Sequence, residues 1–222
     1  MNIVGYGIAA ALIGYVMGSL PIGYVLVHLF KGVDLRRQGS GRTGGTNAMR
    51  AAGVWVGALT AIGDLAKGAG IIWIIRALVS DPAALPWAEV MGGALVVLGH
   101  NWSIFLGWKG GAGTGPNLGV AIALWPAFGL ALIPAGVGVL LVTGYASATS
   151  LFIAAVIPVG LAVRAAAGAG SWVHPLYGLV TAVAVIVALL PNIKRLKAGT
   201  ERRVGPRAKA RRIKATGVSN RQ

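Results

Sequence analysis

A chain of 222 residues that is 56% hydrophobic and 11% charged, with a mean hydropathy of +0.75, is too apolar for a soluble domain and reads as one polytopic, all-α integral membrane helix bundle. It has no cysteine, which excludes disulfides and thiolate chemistry, and its three histidines are scattered without metal-ligand spacing, so no metal is expected. The net charge of +15 resembles a nucleic-acid signature, but eleven of the twenty Lys and Arg follow Pro191 and five more lie in residues 31–50; this is positive-inside asymmetry, and no nucleic-acid partner is expected.

Residues 2 to about 30 form the first span, without a basic leader and too long for a cleaved signal segment. Gly14 and Gly18, at G-x-x-x-G spacing beside Ser19, allow a second helix to approach closely. That helix belongs either to the same chain or to a second copy, so a homodimer is possible. The following loop carries Lys31, Arg36, Arg37, Arg42 and Arg50 against Asp34 alone, which puts the N-terminus outside and the loop in the cytoplasm. Within it, residues 40–50 read S-G-R-T-G-G-T-N-A-M-R. Glycines turn backbone N–H groups towards an anion, hydroxyls add donors, and arginine supplies a planar charged fork. The same composition also makes plain turns.

Residues 51–79 are the second span, interrupted by Asp64 and Lys67 at i and i+3. Charges at that depth pair with each other or face a polar cavity. Residues 80–86 form an external turn, and the third span, residues 87–106, has Trp87 and Trp102 as interfacial anchors. It runs into a second polar break at residues 99–117, where Lys109 precedes Gly110, Gly111, Gly113 and Gly115, a backbone able to bend round an anion. G-x-x-x-x-G-K-[ST] is absent, so nucleotide hydrolysis is not expected. His100 reads as a general base or, more readily, as a structural donor at a helix end.

Between residues 118 and 190 hydropathy alone gives three segments, yet the basic tail must return inside, which requires an even number. Pro126, Gly129 and Pro134 divide the first stretch, giving 118–125, 128–143, 146–163 and 172–190, about seven transmembrane helices in all with a cytoplasmic C-terminus. Gly144, Tyr145 and Ser147 then form a third cytoplasmic corner, and residues 164–171 an outer loop in which Arg164 is an exception to the charge rule. Residues 191–201, with Asn192, are the fourth polar feature. Residues 202–222 read as a basic, disordered tail on the inner leaflet, leaving 1–201 as the membrane domain.

Four polar breaks on one face of a small bundle, each bearing glycine and three of them carrying cations, describe a cavity for anionic headgroups flanked by lipid. A lipid-modifying enzyme fits it, although neither a Ser/His/Asp order nor an H-x-x-x-x-D box is present.

The ordered motifs G-S-L-P-I-G-Y (18–24), V-D-L-R (33–36), G-S-G-x-x-G-x-T-N (39–47), D-x-x-K-G (64–68), G-H-N-W-x-x-F-L-x-x-K-G-G-x-G (99–113) and N-I-K-R-L-x-x-G-x-E (192–201) resemble the bacterial acyl-phosphate:glycerol-3-phosphate acyltransferase family, PlsY. The resemblance covers nearly the whole chain up to Glu201. It implies a seven-helix fold of the bacterial inner membrane and transfer of a fatty acyl group from acyl phosphate to glycerol 3-phosphate, giving lysophosphatidic acid without a cofactor. Its implied substrate contacts are Ser40, Thr46, Asn47 and Arg50 in the first loop, Lys109, Gly110 and Gly111 in the second, and Asn192 on the last helix; Arg42, His100 and Asn101, beside them in the same loops, complete the candidate substrate-binding set. Ser40, Lys109 and Asn192 are the catalytic candidates, and Asp64 with Lys67 the intramembrane ion pair.

The sequence departs from the family pattern at four positions. Arg42 stands where the family has asparagine, Ala112 where it has lysine, Gly144 where it has arginine and Leu189 where it has histidine. Each lost charge-assisted hydrogen bond is worth roughly 1.5 to 3 kcal/mol, and together these losses weaken binding of a dianion severely unless Arg42 compensates. The alternative reading is a divergent, non-catalytic member that binds lipid or phosphate headgroups.

Overall fold

The computed structural model describes residues 2–204, and every regular element in that range is helical. In chain order these are α1 (Ile3–Ser19), α2 (Ile22–Lys31), α3 (Gly45–Ala52), α4 (Val54–Leu78), α5 (Leu85–Asn101), α6 (Thr114–Leu124), α7 (Pro126–Thr143), α8 (Ala146–Ala166) and α9 (His174–Lys197). Six segments are long and apolar enough to cross a membrane, with α1 and α2 counted together. The seventh expected span, α6, has 11 residues. At 1.5 Å per residue it is about 16 Å long, roughly half of a hydrocarbon core.

The first expected span is broken. Pro21 lacks an N–H and Leu20 leaves the helical region, so Ile22 N–H donates to the Leu20 carbonyl and the Gly18 carbonyl loses its i+4 donor. Lys67 of α4 replaces it: its Nζ donates to Gly18 O at 2.9 Å and Leu20 O at 3.2 Å. Lys67 also lies 3.1 Å from Asp64 Oδ1, both side chains being buried. The intramembrane ion pair therefore exists, and its cation closes the break in the first span.

Gly14 and Gly18 face α5 within the same chain. A Cβ at either would collide with the Gly92 or Val96 carbonyl, so the G-x-x-x-G face is used internally. The main core lies between α4, α5, α6 and α9, around Ile71, Ile72, Val97, Val120 and Tyr177.

The short α6 ends inside the bundle with unpaired carbonyls. Arg76 of α4 donates to Ala123 O at 2.9 Å, and Arg164 of α8 donates to Leu124 O. Arg164 thus belongs to a helix rather than an outer loop, and it neutralises a helix C-terminus. Four helices do occupy residues 114–197, as the charge argument requires, but α7 has 18 residues and Pro134 lies inside it without ending it. Pro191 likewise does not end α9, which carries Asn192 one turn before its terminus. Of the expected basic tail, residues 205–222 lie outside the described residues. Val204 is buried and donates its N–H to the Gly144 carbonyl at 2.8 Å.

Candidate active site

The loops 32–44 and 102–113, the corner at Gly144 and the segment after α9 meet at one end of the bundle. The first loop is built on Asp34. Its carboxylate accepts from Arg36 N at 2.8 Å and Arg36 NH2 at 2.7 Å, and the Arg36 guanidinium lies over the Tyr24 ring. That pairing holds the Asp34 carboxyl down at about 2. Leu35 beside it is fully buried against Val27, Ala48 and Val56, anchoring the loop to α2 and α4. Asn47, on the first turn of α3, ties the rest: Nδ2 donates to Gln38 O at 2.9 Å and Arg42 O at 2.8 Å, and Oδ1 accepts from Ser40 N at 3.0 Å. With both ends of its amide engaged, Asn47 shapes the loop that presents Ser40 and Arg42.

The second loop folds over His100. Gly111 N–H donates to the His100 carbonyl at 2.9 Å, and a Cβ at Gly110 or Gly111 would collide with that carbonyl or with the His100 ring. Glycine is required there for close approach. Gly107 and Trp108 both have positive φ, 60° and 63°, which turns the chain so that Lys109 projects into open space, where it is exposed.

Arg42 joins the two loops to α9. Its NH1 donates to Gly111 O at 2.8 Å and its Nε to Asn192 Oδ1 at 3.3 Å, leaving its other N–H groups for an anion. Burial, reinforced by the Arg195 charge, pushes the guanidinium below its ordinary value, but an arginine remains charged. Asn192 is oriented by Glu201, which accepts from Asn192 Nδ2 at 2.8 Å, Ser147 Oγ at 3.3 Å and Arg195 Nε at 2.7 Å.

Two cavities meet here. One, of about 530 Å³, is polar and is lined by Arg36, Arg37, Lys109, Gly110, Asn101 and Arg195 among others. The second, of about 420 Å³, is a largely apolar groove that runs past Ile62, Leu65, Leu118, Ile133 and Leu140. Ser40, Arg42 and Asn192 line both. Such a junction suits a polyanionic headgroup on one side and a hydrocarbon chain on the other, with Arg42 between them.

Comparison with known proteins agrees with that chemistry. The family model described as glycerol-3-phosphate acyltransferase matches residues 8–199. The chain belongs to the glycerol-3-phosphate acyltransferase family. It is 35% identical to the Alkaliphilus metalliredigens glycerol-3-phosphate acyltransferase over 86% of this chain and 92% of that protein. Against a glycerol-3-phosphate acyltransferase of Thermus thermophilus it is 38% identical over 90% and 96%. Among solved structures, the glycerol 3-phosphate form of PlsY, an integral membrane glycerol 3-phosphate acyltransferase, superposes with a TM-score of 0.77 at 32% identity, covering 90% of this chain and 96% of that one. The lysophosphatidic acid form of PlsY gives 0.75 at 30% identity. The chain is accordingly an integral membrane protein with multiple spans.

Within this family fold, Ser40, Arg42, Asn101, Lys109, Gly110 and Asn192 line the polar cavity, and Thr46, Asn47, Arg50 and His100 line the apolar groove beside Ser40, Arg42 and Asn192. Gly111 reaches the site through its carbonyl alone. The sequence reading missed Arg36, Arg195, Glu201 and Ser147. Arg36, Arg195 and Glu201 stood in the family-like motifs V-D-L-R and N-I-K-R-L-x-x-G-x-E, while Ser147 carried no signal beyond its place at a corner. Of the four positions read above as departures from the family pattern, three lie together. Ala112 and Leu189 belong to one apolar cluster with Ala154 and Val185, and Arg42 bonds the carbonyl next to Ala112. Gly144 caps α7 in the left-handed region, φ 76°, and its carbonyl receives Val204.

Proposed function

We propose that this chain transfers a fatty acyl group from acyl phosphate to glycerol 3-phosphate, giving lysophosphatidic acid and inorganic phosphate, at the cytoplasmic face of a bacterial inner membrane. The observation that carries this reading is the meeting of a cationic cavity and an apolar groove at Ser40, Arg42 and Asn192. The bias of Lys and Arg towards the loops at that end supports the cytoplasmic orientation, with the N-terminus outside.

In this reading the acyl chain lies in the groove, its phosphate reaches Arg42 and the second loop, and glycerol 3-phosphate enters the polar cavity among Arg36, Lys109 and Arg195. The acceptor hydroxyl oxygen attacks the acyl carbonyl carbon, the new ester C–O bond forms and the carbonyl carbon's bond to the phosphate oxygen breaks. Phosphate leaves with that electron pair and takes up the hydroxyl proton. An acyl phosphate is already activated, so holding two anions in line supplies most of what the reaction needs. In this reading neither a metal nor an organic cofactor takes part. Arg42 supplies the cation that Ala112 and Leu189 no longer provide.

The test is lysophosphatidic acid formation by purified protein in lipid from palmitoyl phosphate and glycerol 3-phosphate, with palmitoyl coenzyme A as the alternative donor. Product from palmitoyl phosphate alone is expected. No product from folded protein would favour a non-catalytic headgroup-binding member, and product from coenzyme A alone would displace the donor assignment.

A further inference from the structure

His100 is held in an arrangement that the reaction as described does not use. Its ring is buried at the end of α5, with Nδ1 2.9 Å from Lys67 Nζ and 3.4 Å from Asp64 Oδ1. A lysine ammonium has only donors, so at the shorter contact Nδ1 accepts, and the three N–H groups are shared among this nitrogen, the two carbonyls and Asp64 Oδ1. Asp64 Oδ1 is closer to Lys67, at 3.1 Å, than to the imidazole, at 3.4 Å. Lys67 is in turn fixed by the Gly18 carbonyl, which lost its helical donor at the Pro21 break, and by the Leu20 carbonyl, which it shares with Ile22 N–H. A neutral ring that accepts at Nδ1 carries its hydrogen on Nε2. Among the described residues Nε2 has no hydrogen-bond partner. It points at Gly111, the residue whose carbonyl anchors Arg42, and His100 lines the apolar groove with Ala112, Thr114 and Arg42.

We infer that His100 presents its Nε2–H to the acyl-phosphate end of the groove, donating a hydrogen bond to the carbonyl oxygen as it gains negative charge, and that Lys67 and Asp64 are positioning residues that fix this tautomer. The inference rests on the acyl-transfer reading above. It casts His100 as an electrophilic donor rather than as a base, since the nitrogen facing the groove has no free lone pair. No proton is transferred: the donor stabilises the carbonyl oxygen while the ester bond forms and the bond to phosphate breaks, and it is most valuable where charge develops in a water-poor site.

The experiment compares His100→Asn with His100→Gln in palmitoyl phosphate turnover. Asparagine keeps an oxygen near Lys67 and loses the outer donor, whereas the longer glutamine amide reaches the Nε2 position. The asparagine variant should lose about 100- to 1,000-fold in kcat, the scale of one oxyanion donor, with little change in KM for glycerol 3-phosphate, and glutamine should recover about tenfold or more of that. Equal activity in the two variants, or an asparagine variant within a few-fold of the parent, would overturn the inference. If the asparagine variant does not fold, or the parent forms no lysophosphatidic acid, the parent itself decides through 15N-histidine spectra recorded with a non-reacting palmitoyl phosphonate. A His100 Nε2 resonance that is protonated and moves on addition supports the donor. One that is unprotonated or unmoved refutes it, whereas failure of transfer alone counts against the acyl-transfer reading.

Discussion

Two buried carboxylates on facing helices have similar partners and different surroundings. Asp64, towards the loop end, meets Lys67 and His100; Glu89, near the start of α5, meets Arg76 at 2.7 Å and His174 at 2.8 Å. Glu89 and His100 are separated by about 16 Å along α5. The Glu89 cluster ties α4, α5 and α9 together and, through Arg76, holds the end of α6, yet none of its members lines the polar cavity or the apolar groove. The Asp64 cluster also ties helices, closing the break between α1 and α2, but two of its members line the groove. Pairing a charge inside a membrane protein is therefore not in itself a sign of function. What separates the two clusters is whether a polar atom remains free to face a cavity.

This contrast is sharpened by removing one partner from each. Lys67→Met leaves Asp64 buried and uncompensated, which costs about 3 to 5 kcal/mol, and it also frees the His100 tautomer. We expect the largest effect here: a lower Tm in detergent together with at least a tenfold loss in kcat for the protein that remains folded. Stable protein with full activity would show that the cluster is only packing. Glu89→Ala should cost about 3 kcal/mol in stability, with kcat and KM for the folded protein unchanged within a factor of about two. Loss of turnover without loss of stability would break the distinction between the ends.

The smallest effect concerns the first loop. Asp34 has its folded value depressed to about 2 through Arg36, so its contribution is complete above the unfolded value near 3.9 and is lost as pH falls through that lower value. Glycerol 3-phosphate KM should show no Asp34-dependent change between pH 5 and 9, whether the parent or Asp34→Asn is titrated. A difference between their profiles inside that window would contradict the assignment.

Much of this was legible in the sequence because its signals are local. The polar breaks, the Asp64 and Lys67 spacing and the four-helix reading of the last third follow from charge and hydropathy alone. What escaped depends on partners far along the chain. The break at Pro21 lies within one continuous apolar run, residues 2–30, and its repair depends on Lys67, which satisfies the freed Gly18 carbonyl from α4. Asn47 looks like a ligand contact because an amide beside glycines suits an anion, but its amide is engaged by the backbone of its own loop. Helix α3 is too short and too polar to stand out in hydropathy, and Gly53, at φ 94°, separates it from α4. Glu201 sits in a basic segment where a lone acid looks incidental, yet it orients Asn192 and so sets what Arg42 meets.

The central claim is that the cation of the anion site has moved to Arg42, and steady-state kinetics of Arg42→Ala with palmitoyl phosphate as the varied substrate tests it most directly. Loss of the guanidinium removes one or more charge-assisted bonds, each worth about 1.5 to 3 kcal/mol, so kcat/KM should fall by roughly 10- to 150-fold per bond, with Arg42→Lys recovering only part. An alanine variant with unchanged kcat/KM would place the cation elsewhere and contradict the account.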